Sequence, residues 1–460
     1  MKEKMAKKVH IIGIGGAGMS AIAIVLHEYG YEVSGSDIKP SRYVDFVVSR
    51  GIPVVIGHRP ENVEGKDLVI YSTAIPLNNP ELQRARELGI KTLHRSDALA
   101  YLTAEKKLIA VTGSHGKTTT TSLIAHMMRK SGIDAGFIVG GEVNDYGSNA
   151  ASGSSDFFVL EADESDGTFL KLEPFYSVFT NIEPEHLDFF GSEKAMLAAA
   201  REFIEKTTCK AFVCADDERL FKIASGLKEK AVFYGFLHGD YRITAFETGS
   251  KGSSFRLATP EGNEFEFNLK LKGQHNVINA AGVAALAFEL GLGYESVRKA
   301  LADFNGVGRR LQLLSSAGGI AIFDDYAHHP TEIASVLESL KRSGFNRIVA
   351  VFQPHRYSRT FHLLSEFPVS FKDADVIVAT EVYAAGEDPI PGITGKYLFE
   401  LISAFNHEKE LAFIPRLIDL PRFIQEIARP GDAIVFLGAG DITLAAHETA
   451  RLFQENHENS

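Results

Sequence analysis

The run Gly113-Ser114-His115-Gly116-Lys117-Thr118, followed by Thr119, Thr120 and Thr121, has the residue types to hold a polyphosphate. Glycines let backbone N–H groups close around phosphate oxygens, a lysine neutralises the β/γ end, and a hydroxyl in the first helical turn holds Mg2+. The run therefore reads as an ATP site with a magnesium ion. The match to the general phosphate-loop pattern is imperfect, because that pattern puts its first glycine at position 111, where this chain has Val111, and Gly113 stands instead. A Gly-Lys-Thr that arises on a loop by chance is the competing reading.

Two acidic clusters follow. Glu161-Ala162-Asp163-Glu164-Ser165-Asp166 carries four carboxylates directly after an apolar run, and Asn181-Ile182-Glu183-Pro184-Glu185-His186 closes the next one. Four carboxylates at one strand end repel one another unless a cation sits among them. Solvated acidic loops would have the same composition. With a phosphate loop one strand away, metal ligation is the reading adopted.

A second glycine turn, Gly13-Ile14-Gly15-Gly16-Ala17-Gly18, lies near the N-terminus, with Asp37 19 positions beyond Gly18. This is the dinucleotide fingerprint with its acidic residue in place, and it predicts a diphosphate ligand without naming it. NAD is the default, and a turn that merely lets a helix pack on a strand is the alternative. Further on, His275, Asn276 and Asn279 in Gly273-Gln274-His275-Asn276-Val277-Ile278-Asn279-Ala280 fall one turn apart at a helix start, where they contact a base or only cap the helix. Arg309-Arg310 is a phosphate contact or ordinary surface charge. Asp324-Asp325-Tyr326-Ala327-His328-His329-Pro330-Thr331-Glu332 and Gln353-Pro354-His355-Arg356-Tyr357-Ser358-Arg359 each follow an apolar run. Two arginines three apart with histidines beside them make a clamp for a carboxylate or phosphate. Polar loops capping two helices explain either cluster alone, and explain the pair less well.

The elements that must position these residues are short Val/Ile-rich runs alternating with amphipathic stretches. Residues 9–12, 32–34, 68–71, 108–111, 157–160, 178–181, 211–214, 320–323, 348–352, 376–380 and 433–437 read as strands buried on both faces. Residues 17–29, 118–130 and 331–342 read as helices. The alternation argues parallel α/β sheets with ligands at strand C-termini. Breaks in pattern give three domains: a Rossmann-like domain over 1–104, a central ATPase domain of phosphate-loop type over 105–313, and a Rossmann-like domain over 314–460. The alternating stretch 241–272, with turn signals at 249–252 and 260–262, reads as a small antiparallel hairpin insertion in the central domain.

Composition limits the function. The 460 residues carry a formal charge of −11 and no basic stripe, which argues against a nucleic-acid partner. No stretch approaches the ~18 consecutive apolar residues of a membrane helix. The first ten residues are basic but lack a signal peptide's apolar core, so the expected compartment is the cytoplasm. The two cysteines, Cys209 and Cys214, have no second pair to make a zinc site with and read as core residues.

Taken together and in order, GIGGAGMS with GSD, GSHGKTTTT, EADESDGTF, NIEPEHLD, GQHNVINA, DDYAHHPTE and FQPHRYSRT resemble the Mur ligase family, which builds the peptide of bacterial peptidoglycan. The resemblance covers nearly the whole chain and is strongest to members that attach L-alanine to UDP-N-acetylmuramate. A sister activity that recycles a whole tripeptide onto the same sugar nucleotide is the alternative within the family, and its glycine turn usually differs. An NAD-dependent oxidoreductase is the alternative outside it.

The resemblance implies that Gly15, Gly16, Ala17, Gly18, Met19, Ser20 and Asp37, joined by Ser72, Thr73 and Ala74, hold a UDP-sugar rather than NAD. It implies that Gly113, Ser114, His115, Gly116, Lys117, Thr118 and Thr119 serve ATP, with Asn276, Asn279, Arg310 and Asp325 in further contact. Thr118, Glu161 and His186 would hold Mg2+. Tyr326, His328, His355, Arg356 and Arg359 would place L-alanine. Lys117, His328, Arg356 and Arg359 would carry the chemistry, in which a carboxylate is activated as an acyl phosphate and then captured by an amine. One departure stands out. Several relatives carry a carbamylated lysine in the helix after the NIEPEHLD-type motif, whereas this chain reads Ala198-Ala199-Ala200-Arg201-Glu202-Phe203, and an arginine does not form that carbamate.

Overall fold

The structure is a computed structural model that describes residues 8–164, 167–184, 187–249 and 251–458. Its chain folds into three α/β domains, each built on its own sheet. The first sheet has strand order 54–56, 32–37, 8–12, 68–71, 91–94, all parallel. The order reverses beside Lys8–Ile12, so the glycine turn leaves the sheet at a topological switch point, where such folds bind ligands. Val9, Ile11 and Ile12 are fully buried, as continuous apolar runs in parallel sheets require. The strand end carrying Asp37 is anchored from below. Ser36 donates to the fully buried Glu81 at 2.6 Å, and Glu81 also takes Asn62 at 2.5 Å and pairs with His58 at 2.9 Å.

The central sheet has ten strands, in the order 264–269, 252–258, 241–249, 231–235, 210–214, 176–179, 107–112, 157–161, 136–143, 148–151. Lys107–Thr112, which feeds the phosphate loop, is flanked by Tyr176–Phe179 and Phe157–Glu161, both parallel to it. The two acidic clusters thus emerge on either side of the loop. Turns fall near the expected positions in the 241–272 stretch, and the segment forms three neighbouring strands that extend this sheet at one end. Tyr241–Gly249 joins Ala231–Gly235 in parallel. Two-residue periodicity marks a half-exposed strand and does not say what it pairs with. Of the cysteines, Cys214 is buried and Cys209 half-buried.

The third sheet has the order 312–317, 320–325, 432–437, 347–352, 376–379, 410–413. Gln312–Ala317 is an antiparallel edge strand and the rest are parallel. Both sequence-predicted motifs leave strands that flank Asp432–Leu437, so their loops share one edge with the turn after that strand. By contact density the chain divides into two compact units. One holds the first sheet and most of the central sheet (1–245, 255–268, 278–305) and the other is mainly the third domain (246–254, 269–277, 306–460).

Candidate functional site

The loop Gly113–Thr118 is pinned by its neighbours. Gly113 has φ +133°, and a Cβ there would lie 2.3 Å from Thr180 Oγ1 and 2.7 Å from the Asn181 carbonyl, so only glycine fits. Asn181 binds the loop three ways: its side-chain oxygen accepts from His115 N at 2.8 Å, its amide donates to His115 O at 2.9 Å, and its carbonyl accepts from Ser114 N at 3.1 Å. Ser114 Oγ accepts from Glu183 N at 2.8 Å, and His115 Nε2 stands 3.3 Å from Glu183 Oε2. Asn279 is buried against the loop, its amide 2.9 Å from where a Gly116 Cβ would be. Thr119 is buried as well.

Lys117 opens the helix Lys117–Lys130 and curls back over the loop. Its ammonium donates to Gly113 O at 2.6 Å, Ser114 O at 3.2 Å and Glu164 Oε1 at 2.8 Å. Burial alone would lower its pKa, but Glu164, Asp163 and Glu161 reverse that and hold the lysine charged. Burial, helped by Asp163 and opposed by Lys117, pushes the Glu164 carboxyl up to about 7. The other Glu164 oxygen, Oε2, is buried without a hydrogen-bond partner among the described residues. An unsatisfied buried acceptor is costly. Next to it Thr118 Oγ1 donates to Glu161 Oε1 at 2.9 Å, and Gly140 N donates to Glu161 Oε2 at 2.6 Å. A hydroxyl and two carboxylates are hard oxygen donors, which suits Mg2+. The third expected ligand, His186, lies outside the described residues, as do Ser165, Asp166 and Glu185. In the helix Glu193–Lys206, Arg201 pairs with Glu205 at 2.9 Å and donates to Ile223 O at 2.9 Å.

At the first glycine turn, Gly15 N donates to Asp37 Oδ2 at 2.9 Å and Ile38 N to Asp37 Oδ1 at 2.8 Å. A Cβ on Gly15 would lie 2.8 Å from that carboxylate. Gly16 caps the helix Ala17–Glu28, whose first-turn N–H groups have no intrahelical acceptor. Met19 and Ser20 are buried, and Ser20 Oγ donates to Ala17 O, so their side chains serve the helix rather than a surface. Ser72, Thr73 and Ala74 form the turn after Leu68–Tyr71, with Thr73 Oγ1 3.1 Å from His94 Nε2. These residues lie at strand C-termini of one sheet.

The third domain gathers its own cluster. His328 Nδ1 is 2.9 Å from Tyr326 O, which sets the tautomer with Nε2 as the acceptor nitrogen. Burial, with Arg359 and Arg310 adding and Glu332 opposing, lowers its pKa to about 4. Arg359 donates to His355 Nδ1 at 3.0 Å, and burial with nearby His328 and the arginines takes His355 down to about 3. Both imidazoles are therefore neutral at ordinary pH. Arg356 is exposed in the left-handed region, φ +68°, its N–H held by Tyr383 O at 2.8 Å. Arg310 sits 3.6 Å from Glu332 and over the half-exposed Tyr326 ring. Asp325 turns inward: it is buried and accepts from Leu311 N at 2.5 Å and Ala327 N at 2.7 Å, so it shapes the loop. Asn276 donates to Lys272 O at 2.8 Å, a contact inside its own helix start.

Several residues escaped the sequence reading. Tyr383 stacks on His355 with centroids 5.5 Å apart. Glu387 accepts from Ser358 Oγ at 2.7 Å and fixes the arginine loop. The turn Gly438-Ala439-Gly440-Asp441 lies between the two motif loops, taking Arg309 on the Gly438 carbonyl and Gln353 Nε2 on Asp441 at 2.8 Å. Two glycines between a strand and a helix were a readable signal there, like the one at residue 13.

Three family models match in chain order: "Mur ligase family, catalytic domain" at residues 8–107, "Mur ligase middle domain" at 111–287, and "Mur ligase, glutamate ligase domain" at 309–440. A UDP-N-acetylmuramate–L-alanine ligase from Anaeromyxobacter sp. (strain Fw109-5) is 43% identical over 453 residues, 97% of this chain and 98% of that one. The chain belongs to the Mur ligase family. Among solved structures, a UDP-N-acetylmuramate–alanine ligase from Thermotoga maritima matches with TM-score 0.85 and 30% identity, covering 98% of this chain and 99% of that one. A murein peptide ligase from Psychrobacter arcticus shares the fold at TM-score 0.70 and 22% identity, covering 97% and 98%. As a Mur ligase, the chain keeps the three-domain order of the family, and its phosphate loop stands in the middle domain.

Proposed function

We propose that this protein is the ATP-dependent ligase that joins L-alanine to UDP-N-acetylmuramate in peptidoglycan precursor synthesis. The observation that carries the ATP chemistry is Lys117 lying across its loop onto a buried carboxylate, beside the Thr118–Glu161 pair. The choice of sugar nucleotide and amino acid is supported by the relatives' activity over nearly the full length. The glycine turn with Asp37 takes the UDP-sugar, and the His328–His355–Arg359 cluster takes the amino acid.

The lactyl carboxylate attacks the γ-phosphorus of ATP, the bond to the β-bridging oxygen breaks, and ADP leaves behind an acyl phosphate. Lys117 offsets charge on the transferring phosphoryl group. Thr118 and Glu161, with His186, would hold Mg2+, which supplies further charge neutralisation when bound. The alanine amine then attacks the acyl carbon, the bond from that carbon to the phosphate oxygen breaks, and inorganic phosphate departs. Arg356 and Arg359 hold the amino acid's carboxylate, and neutral His328 accepts the proton the amine sheds. The reaction belongs in the cytoplasm, where ATP is available, and among the described residues no helix is long and apolar enough to cross a membrane.

The test is phosphate release from ATP with UDP-N-acetylmuramate and each amino acid in turn. Release that depends on both UDP-N-acetylmuramate and L-alanine is expected. Release supported by the L-alanyl-γ-D-glutamyl-diaminopimelate tripeptide but not by alanine would move the protein to the recycling activity instead.

A further inference from the structure

Arg356 and Arg359 stand on a short loop whose shape is imposed from outside. Arg356 lies in the left-handed region at φ +68°, a conformation that a non-glycine residue keeps only where its surroundings enforce it. The enforcing segment follows the strand Val376–Ala379. Arg356 N donates to Tyr383 O at 2.8 Å, Tyr383 N donates to Pro354 O at 2.8 Å, and His355 and Tyr383 form a parallel bridge. Four residues further on, Glu387 accepts from Ser358 N at 3.0 Å and from Ser358 Oγ at 2.7 Å. Residues 383–387 thus grip the arginine loop on both sides of Arg356.

The side chains continue the same brace. The Tyr383 ring stacks on the His355 imidazole, with centroids 5.5 Å apart and planes 13° from parallel. His355 Nδ1 lies 3.0 Å from Arg359 Nη1. A guanidinium only donates, so Nδ1 is the acceptor nitrogen and the ring proton sits on Nε2. The direction of that hydrogen bond follows the plane of the imidazole, and the plane follows the ring stacked on it. Gly440 backs the tyrosine from the other side: a Cβ there would lie 2.7 Å from Tyr383 Cγ, so the turn after Asp432–Leu437 packs directly on the ring. Gly440, Tyr383, His355 and Arg359 form one packed series that ends on a guanidinium.

Resting on the ligase reading above, we propose that Tyr383 is a positioning residue for L-alanine, its ring fixing the plane of His355 and His355 aiming the Arg359 guanidinium at the substrate carboxylate. Tyr383 itself touches neither the substrate nor the reacting atoms. A guanidinium takes a carboxylate through two parallel hydrogen bonds only when its plane is held, and the bond to His355 commits one of its nitrogens and so orients the rest. The Tyr383 carbonyl supports Arg356 through the backbone, a contact that replacing the side chain leaves in place. The part played by the ring is therefore measurable by itself.

The experiment is steady-state turnover of wild type, Y383F, Y383L and Y383M, with thermal unfolding of each as a check on the fold. Leucine and methionine fill the space without a ring, and phenylalanine keeps the ring and loses only the hydroxyl. Y383L and Y383M are expected to raise KM for L-alanine about ten-fold, with kcat and the KM values for ATP and UDP-N-acetylmuramate within about two-fold of wild type. Y383F is expected to stay within about two-fold of wild type in every constant. An unchanged alanine KM in the two ring-less variants overturns the proposal. A rise of all three KM values together, or failure of both ring-less variants to fold, also overturns it, because the side chain is then merely structural. A loss in Y383F equal to that in Y383L overturns it in favour of the hydroxyl. Wild type that releases no phosphate in response to L-alanine would overturn the ligase reading itself.

Discussion

Lys117 is largely buried among carboxylates, and its pairing with Glu164 explains both groups. A buried carboxyl poised near neutrality is costly to leave unpaired, and a lysine with three acceptors is held in one orientation before ATP binds. Replacing Lys117 with alanine should abolish turnover, by about 10²–10³-fold or more, because the developing phosphoryl charge loses its main protein donor. The same variant should bind UDP-N-acetylmuramate almost as wild type does, because that ligand is assigned to the first sheet's turn. Calorimetry separates the two effects, and a large loss of sugar-nucleotide affinity in Lys117→Ala would contradict the assignment. The sequence showed the loop and its lysine but not this partner. Glu164 is one of four adjacent acids, and only the fold says which of them turns inward.

Among the elements, strands were legible where both faces are covered. Lys107–Thr112 and Asp432–Leu437 are buried along almost their whole length and read as unbroken apolar runs. Val54–Ile56, Lys91–His94, Gln312–Ala317 and Glu410–Phe413 lie at sheet edges and are largely half-exposed or exposed; the first is apolar but only three residues long, and the others have mixed composition that gives no such run. Loops at strand C-termini were found when they carried several charged residues. Tyr383 was missed because a lone tyrosine has no spacing to read. The third sheet's loops also carry a pH dependence. His328 and His355 sit near 4 and 3 against 6.5 for a free histidine, so between those values the unfolded chain binds protons that the folded one does not. Stability should then be fully present above pH 6.5 and fall as pH drops toward 4, by up to about 1.4 kcal/mol per pH unit for each histidine. Urea midpoints at pH 7, 5.5 and 4.5 measure this. The double variant H328Q/H355Q should show a flatter slope, and an unchanged slope would mean that other groups carry the acid sensitivity.

At the scale of the whole molecule, the proposed binding residues lie in three domains and would serve one reaction. The acyl carbon, the γ-phosphate and the amine must come within about 3–3.5 Å of one another to react. A pivot for such a movement is predicted where the chain passes for the last time from the first unit to the second. Asn305, at the end of the first unit, is clamped by Asp145, which takes its N–H at 3.0 Å and its side-chain amide at 2.7 Å, and by Asn144, which donates to its carbonyl at 2.9 Å. Arg309 belongs to the second unit, its guanidinium on the Gly438 and Gly440 carbonyls and its N–H on Gln312 at 2.8 Å. Between these anchors lie residues 306–308, beginning with Gly306 at φ +84°. A few residues that absorb large dihedral changes between two rigid bodies are what a hinge consists of. Closure would also keep water from the acyl phosphate. Small-angle scattering should therefore give a smaller radius of gyration with a non-hydrolysable ATP analogue plus UDP-N-acetylmuramate than without ligands. Gly306→Pro, whose ring forbids a positive φ, should blunt both the compaction and kcat while leaving the affinity of the first domain for its sugar nucleotide nearly unchanged. A radius that stays the same at saturating ligand, in protein shown to be active, would rule out closure about this pivot.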